Sequence, residues 1–265
     1  MTEIPFSKLH GAENDFLLTW AEEAPGGELA KIARRICART TGIGADGWML
    51  VTRESGGLRT RLFNSDGSEA EISGNGTRCA AAFGISGGVL RPPDVSISTA
   101  AGLKRLKMIS REANKFLFEM DMGLPRIEEL RADLRLAGRR FDATVLNVGN
   151  PQCAIFVDEL PEDWRRVAEE CERDKRFPQR TNVSFVQVVD RRQVRAVFFE
   201  RGAGETRSSG TGSTGAACAA ILRDVAESPV EIRTPAGSMA LRWQESVYLT
   251  GPAEFIGEGR FFLDL

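Results

Sequence analysis

Short apolar stretches separated by glycine-rich turns dominate the pattern of hydrophobic and polar positions along the chain. Where such a stretch alternates with period two, or is continuous and brief, it predicts a strand. The predicted strands are 4–10, 16–20, 48–51, 59–64, 95–99, 116–120, 144–148, 183–189, 193–200, 230–234 and 247–250. Helical spacing of apolar residues predicts helices at 28–39 and 161–170. The charged stretch 123–140 is predicted to link the two halves of the chain.

Two further helices are predicted at segments 73–82 and 209–220, which read Ser-Gly-Asn-Gly-Thr-Arg-Cys-Ala-Ala-Ala and Ser-Gly-Thr-Gly-Ser-Thr-Gly-Ala-Ala-Cys-Ala-Ala. The glycines allow the backbone to approach a ligand closely, and the alanines are strong helix formers. A helix start also offers N–H groups without intrahelical partners at the positive end of the helix dipole. Each segment therefore predicts either an anion site or, alternatively, an ordinary serine-capped buried helix.

An internal repeat favours the first alternative. Shifting the chain by 136 residues places Ser73 on Ser209 and Asn14 on Asn150. The same shift places Asn64 on Glu200. A repeat of this length predicts two copies of one domain, 1–124 and 125–265, with the C-terminal strand as a candidate to pack on the first. Because strands outnumber long helices, the predicted class is α+β. Each pseudo-symmetric domain is expected to wrap a curved, mostly antiparallel sheet or barrel around a central helix, with an active cleft between the domains.

Composition excludes several classes of function. The chain has 265 residues, 42% of them hydrophobic and 27% charged, with a formal net charge of -2. This balance is typical of a globular protein and provides no basic field for nucleic acid. No apolar run is long enough to span a membrane and the N-terminus does not resemble a signal peptide, so a cytoplasmic protein is expected.

The five cysteines are scattered and the chain has one histidine, His10. Such spacing predicts small buried thiols in a reducing compartment rather than a metal site. Neither a Walker loop nor a Gly-x-Gly-x-x-Gly turn after a strand is present, so no bound nucleotide is expected.

Several motifs carry a resemblance to a known family. They are Lys-Leu-His-Gly-Ala-Glu-Asn-Asp-Phe at 8–16, Phe-Asn-Ser-Asp-Gly-Ser-Glu at 63–69, the turn at 73–78, Glu-Arg-Gly-Ala-Gly-Glu-Thr at 200–206 and Thr-Pro-Ala-Gly at 234–237. In this order and spacing the chain resembles diaminopimelate epimerase over nearly all its residues. The resemblance implies two mirrored domains that close on a free amino acid and invert its α-carbon without pyridoxal phosphate or metal.

The resemblance also implies a set of substrate contacts. The helix starts would hold the α-carboxylate through Gly74, Asn75, Gly210 and Thr211, and the remaining contacts fall on Asn14, Asn64, Asn150, Asn182 and Arg201. A guanidinium suits a distal carboxylate because it can bind both oxygens at once. Asparagine side chains offer both donors and acceptors, although each one alone is equally typical of a turn. The expected partner is a small amino acid with two carboxylates, and the chain is expected to be a monomer or homodimer.

The chain differs from the family at the residues that the resemblance implies transfer the protons. The two catalytic cysteines that the resemblance implies are Ser73 and Ser209 here, the implied histidine is Gln152, and the implied acid Glu200 is retained. A serine hydroxyl is much less acidic than a thiol. If the gap is on the order of five pKa units, forming the alkoxide costs roughly 7 kcal/mol more, or about 10⁵ in rate.

Three functional hypotheses follow. The first is an epimerase whose serines act with help from Glu200 or Asp66 as base. A second is a binding protein that kept the amino-acid cleft and lost the proton relay. The third is an epimerase or dehydratase for another amino acid, such as a hydroxyproline, although the motifs stay closest to diaminopimelate epimerase.

Overall fold

The chain forms two compact units in a computed structural model that describes residues 2–263. The first unit takes the chain up to Met120 and again from Gly251 onward, and the second takes Asp121–Thr250. The predicted boundary at 124/125 lies close to this division. The end of the chain, predicted within the second domain, belongs to the first unit because its strand pairs with the N-terminal strand, Thr2 opposite Leu263.

The first unit contains one helix that is buried on all sides and one that is buried on a single face. Its helices are α1 (Leu29–Cys37) and α2 (Gly74–Ser86), and a 3₁₀ turn spans Ala21–Glu23. Its strands are β1 (Thr2–Gly11), β2 (Asn14–Trp20), β3 (Gly47–Glu54), β4 (Gly57–Asn64), β5 (Glu69–Ala70), β6 (Asp94–Thr99), β7 (Gly102–Glu112) and β8 (Lys115–Gly123), the last of which ends in the second unit.

Eight strands close into a barrel in this unit. The order is β1-β2-β3-β4-β6-β7-β8, followed by the C-terminal strand β17 (Val247–Leu263), which pairs with both β8 and β1. The pairs β2–β3 and β4–β6 are parallel, and the other pairs whose register is described are antiparallel. A closed barrel has no free strand edge, and it encloses α2, whose residues from Gly74 to Ile85 are all buried.

The strands β2 and β3 are buried on both faces, which explains why their apolar runs are nearly continuous. Leu17 and Trp48 belong to the core that packs on α1. On the opposite face, Phe16 and Met49 lie against Gly76 of α2. Period-two alternation therefore directs one set of side chains to each helix.

The second unit repeats this order of strands. Its elements are β9 (Arg126–Leu136), β10 (Arg139–Asn147), β11 (Pro151–Phe156), α3 (Trp164–Glu172), β12 (Asn182–Asp190), β13 (Gln193–Glu200), β14 (Gly204–Thr206), α4 (Gly210–Leu222), β15 (Val230–Thr234), β16 (Gly237–Trp243) and the first part of β17. The order β9-β10-β11-β12-β13-β15-β16-β17 matches the first unit, including its two parallel pairs. The helix α4 contacts strands from β10 to β16. The predicted fold class is confirmed.

The prediction of a linker at 123–140 is wrong. This segment forms β9 and the start of β10, which pair antiparallel with Arg139 opposite Leu136. Ala132, Leu134 and Leu136 are buried at alternate positions, and the charged residues between them are exposed. The charges therefore mark the outer face of a strand pair rather than a solvated connection.

Glycine at the start of β4 is required by the close approach of β6. A Cβ on Gly57 would overlap the carbonyl oxygen of Ser96, which is backbone and cannot rotate away. We therefore expect Gly57→Ala to reduce the free energy of unfolding by about 1–3 kcal/mol, measured by urea denaturation. Gly257→Ala is the matched control, because nothing lies within 4 Å of its Cβ position. Equal stability of the two variants would contradict this packing.

Candidate active site

The first helix start is built around a serine cap. Ser73 precedes α2 in extended conformation, and its Oγ accepts a hydrogen bond from the N–H of Gly76 at 3.0 Å. A Cβ on Gly76 would lie 2.9 Å from Cε of Met49. The first turn of the helix therefore packs closely on β3, and a Cβ here would displace the end of the Met49 side chain. Ser73 itself stays partly exposed.

The second helix start has the same cap and an added carboxylate. Ser209 Oγ accepts from the N–H of Gly212 at 3.0 Å and donates to Glu200 Oε2 at 2.9 Å. Glu200 Oε1 accepts from the hydroxyl of Thr206 at 2.8 Å. The carboxylate is thus held by two hydroxyls, one of which is the hydroxyl expected to carry the chemistry.

In both units an asparagine at or just before the start of a neighbouring strand contacts the second helical residue. Asn75 Nδ2 donates to Asn14 Oδ1 at 3.2 Å in the first unit. Asn150 Nδ2 donates to Thr211 Oγ1 at 3.3 Å in the second. All four residues are buried. The structure therefore brings these predicted residues together in each unit, at positions that the repeat relates.

Gln152 lies beside this second pair. Its Nε2 donates to Asn150 Oδ1 at 2.7 Å, and its side chain lies across Gly215, where a Cβ would be 3.2 Å from Cβ and Cγ of Gln152. Its Oε1 is buried with no hydrogen-bond partner among the described residues. Gln152 is an amide at the position where the resemblance implies histidine, so it cannot act as an acid or a base near neutral pH.

Arg201 is seated by backbone and side-chain contacts within the second unit. Its N–H donates to Asn182 Oδ1 at 3.0 Å, and its Nη1 donates to the carbonyl of Gln179 at 3.1 Å. The buried carboxylate of Glu172 accepts from the N–H of Gly202 at 3.2 Å. Two of the predicted residues, Asn182 and Arg201, therefore meet directly, and Glu172 holds the turn that follows them.

Asn64 is the last residue of β4, and Asp66 belongs to the turn that follows. Asn64 Nδ2 donates to Ser68 Oγ at 3.0 Å. Asp66 is exposed, and its Oδ1 accepts from the N–H and the hydroxyl of Ser68 at 2.8 and 2.6 Å. Of the two proposed bases, Glu200 is therefore the one whose carboxylate contacts a predicted catalytic serine.

Charged residues next to Asn14 form a cluster that was not predicted from the sequence. Asp46 Oδ2 accepts from Asn14 Nδ2 at 2.6 Å, and Arg39 donates to both Asp15 and Asp46 at 2.7–2.9 Å. Burial opposes ionisation of Asp15, but hydrogen bonds from Arg39 and Lys8 outweigh it and hold the pKa of Asp15 below its ordinary value. Burial raises the pKa of Asp46, and the hydrogen bond from Asn14 opposes that rise. The available signal was the repeat, which places Asp46 on Asn182.

The cysteine thiols of the chain are too buried to transfer protons at this site. All five cysteines are free and buried. Burial raises the pKa of Cys79 and of Cys37 to about 12. Among residues 2–263, no group of three or more His, Cys, Asp or Glu is arranged to hold a metal ion, and no helix is long and apolar enough to cross a membrane.

Known proteins match the chain over nearly its whole length. The family model described as diaminopimelate epimerase matches residues 6–128 and 144–256. The diaminopimelate epimerase of Moorella thermoacetica is 37% identical over an alignment 278 residues long, gaps included. The alignment covers 98% of this chain and 99% of that protein. That of Pelotomaculum thermopropionicum is 34% identical over 274 residues, with 97% and 98% covered. A solved hydroxyproline epimerase from Agrobacterium vitis has a TM-score of 0.79 at 16% identity, covering 100% of this chain and 94% of that one, a likeness of fold alone.

The two serine caps are expected to differ in their contribution to stability. Ser73→Ala removes one cap and should cost about 1 kcal/mol. Ser209→Ala also removes a hydrogen bond to a carboxylate, so its cost should be about 2 kcal/mol. Urea denaturation of both variants measures the difference, and equal losses would show that the Ser209–Glu200 bond contributes nothing to the free energy of unfolding.

The buried thiols are expected to resist reagents in the folded protein. At pH 8 a thiol with a pKa of about 12 is ionised to only about one part in 10⁴, and the reagent cannot reach it. The native chain should therefore react with fewer than one equivalent of an aromatic disulfide in an hour, and with five after unfolding in guanidinium. Rapid reaction of one native thiol would reveal an accessible thiolate that the structure does not contain.

Proposed function

Because the chain belongs to the diaminopimelate epimerase family, we propose that it inverts the α-carbon of a diaminopimelate stereoisomer by proton transfer between two serines, without a cofactor. The predicted family and the predicted enzyme class, an amino-acid epimerase, are confirmed by the same matches. The substrate, the lysine-biosynthetic role and the action of the serines are the proposal. The observation that carries it is the pair of serine-capped helix starts, one in each unit.

The helix starts suit the α-carboxylate. Each presents backbone N–H groups at the positive end of a helix dipole, and Gly74 and Gly210 leave room for a ligand oxygen. Asn75 and Thr211 follow these glycines and are already oriented by Asn14 and by Asn150. We propose that one substrate molecule uses both helix starts.

The distal end of the substrate is assigned to Arg201. A second carboxylate is the group that a guanidinium recognises best. Asn182 holds the backbone at this arginine, and Asn64 is proposed to add a polar contact from the first unit. This assignment favours diaminopimelate over a hydroxyproline, which has a single carboxylate.

Proton transfer is proposed to begin or end at Ser209. Its hydroxyl already donates to Glu200, so the carboxylate can receive the hydroxyl proton as the oxygen takes the α-proton from one face of the substrate. Ser73 supplies a proton to the other face, and once the product leaves, Ser73 takes a proton from solvent while Glu200 releases to solvent the one it received. Asn64 occupies the position that matches Glu200 in the repeat, and an amide cannot receive that proton. Proton transfer at Ser73 and proton transfer at Ser209 are therefore expected to occur at different rates.

A binding protein without catalysis is the second candidate. Ser73, Ser209 and Gln152 stand where the resemblance implies two cysteines and a histidine, and neither a hydroxyl nor an amide ionises near pH 7. Such a protein would keep the carboxylate contacts and lose the proton relay.

We also propose that the chain acts in the cytoplasm, since five free thiols suit a reducing compartment.

Hydrogen exchange at the α-carbon separates these functions. LL- and meso-diaminopimelate are incubated with the chain in D₂O, and loss of the α-proton signal is followed by NMR together with binding by calorimetry. Exchange with inversion supports the epimerase. Binding without exchange over days supports the binding protein, and the absence of both would show that the substrate class is wrong.

Restoring thiols at the serine positions should accelerate exchange. Ser73→Cys with Ser209→Cys replaces each hydroxyl by a group that ionises more readily, especially at a helix start. If about five pKa units separate the two groups, the gain is up to about 10⁵-fold in rate. The NMR exchange assay measures it, with Ser73→Ala plus Ser209→Ala as the matched control. A double cysteine variant no faster than the original chain would contradict the assignment of these two positions to proton transfer.

A further inference from the structure

The side-chain amide of Asn14 donates a hydrogen bond to a carboxylate. Asp46 Oδ2 accepts from Asn14 Nδ2 at 2.6 Å. Asp46 is itself fixed, because Arg39 donates to its Oδ1 at 2.7 Å and the N–H of Asp15 donates to its Oδ2 at 3.1 Å. The carboxylate therefore cannot turn away from Asn14 without breaking an ion pair.

This contact determines which way the amide faces. An ionised carboxylate only accepts hydrogen bonds, so the NH₂ group of Asn14 must lie toward Asp46 and its Oδ1 toward α2. There Oδ1 accepts from Asn75 Nδ2 at 3.2 Å, and Asn75 Oδ1 accepts from the buried guanidinium of Arg78. A pure acceptor at one end and a pure donor at the other leave each of the two amides a single orientation.

The second unit has no equivalent constraint. Asn182 occupies the position of Asp46, and its Nδ2 donates to the carbonyl of Pro151 at 2.8 Å. Asn150 instead faces Gln152 with its Oδ1 and Thr211 with its Nδ2. Both neighbours can donate or accept, so neither forces the orientation. The two related asparagines thus present opposite groups to their helix starts.

We propose that Asp46 is a positioning residue that sets the amide orientation of Asn14 and so fixes the donors and acceptors that the first helix start presents to the substrate. The effect on substrate rests on the proposed function, in which Asn14 contacts the amino acid. The effect on the amide does not depend on that function.

Replacing the carboxylate by an amide removes the constraint with little change in shape. In Asp46→Asn the new side chain can turn its NH₂ group toward Asn14, at the loss of the bond from the Asp15 N–H, and Asn14 then rotates and sets its own NH₂ against that of Asn75. We expect the Kd for meso-diaminopimelate and the KM to rise about tenfold, with a change in kcat of less than threefold, since one substrate hydrogen bond is lost.

A double-mutant cycle tests whether Asp46 acts through Asn14. In an Asn14→Ala background, Asp46→Asn should change Kd by less than twofold. Asp15→Asn is the matched control, because Asp15 shares Arg39 with Asp46 while its carboxylate does not contact the Asn14 side chain. Additive effects of the Asp46 and Asn14 changes, or an equal rise in Kd for Asp15→Asn, would overturn the proposal.

The side-chain amide signal of Asn14 provides a readout that needs no substrate. It is identified in a ¹⁵N spectrum by its loss in Asn14→Ala. We expect it to shift and to exchange faster with solvent in Asp46→Asn, and to stay in place in Asp15→Asn. An unchanged signal in Asp46→Asn would overturn the positioning role. Failure of the original chain to bind diaminopimelate would refute the proposed function while this spectrum still decides the inference.

Discussion

A helix can be enclosed by strands on every side only if it is narrow, and this constraint governs both units. In α4 a Cβ on Gly212 would lie 2.7 Å from Phe198, and one on Gly215 would lie 3.2 Å from Gln152. In α2 a Cβ on Gly84 would lie 2.6 Å from Leu58. The small residues let the strands approach, and that close packing fixes the axis and the first turn of each helix. A helix start held in this way presents its serine and its N–H groups in a defined position.

The same constraint explains how much could be predicted from sequence. Both enclosed helices, the outer helix α1 and most strands follow from local patterns, and the repeat doubles the signal at the helix starts. Among the strands that were missed, β7 and β9 have one face that is mostly charged and exposed, which resembles a loop in composition. Their period-two burial, as in Ala132, Leu134 and Leu136, was the signal that could have identified them.

The candidate site was predictable where the chain is locally distinctive. Ser73 and Ser209 stand out as caps, and Asn14 and Asn150 are related by the repeat. Arg39 could not be found in this way, because its role depends on a contact with Asp15 of a different element, and Asp46 is marked in the sequence only by its repeat match with Asn182. The buried carboxylate of Glu172 was missed for the same reason, since it acts on a turn 30 residues further along the chain.

The two units have the same order of strands but differ in the side-chain contacts at their helix starts. Glu200 contacts Ser209, whereas the matching residue Asn64 contacts Ser68 in its own turn. Asn14 is oriented by a carboxylate, whereas Asn150 contacts an amide that does not force its orientation. The repeat therefore relates the order of strands in the two units but not the hydrogen bonds at their helix starts.

The decisive experiment is a crystal structure with meso-diaminopimelate bound. We expect α-carboxylate oxygens within about 2.7–3.2 Å of backbone nitrogens at both 74–75 and 210–211, with the α-carbon facing the hydroxyls of Ser73 and Ser209. A bound amino acid that contacts only one helix start, or whose α-carbon faces neither serine, would contradict it.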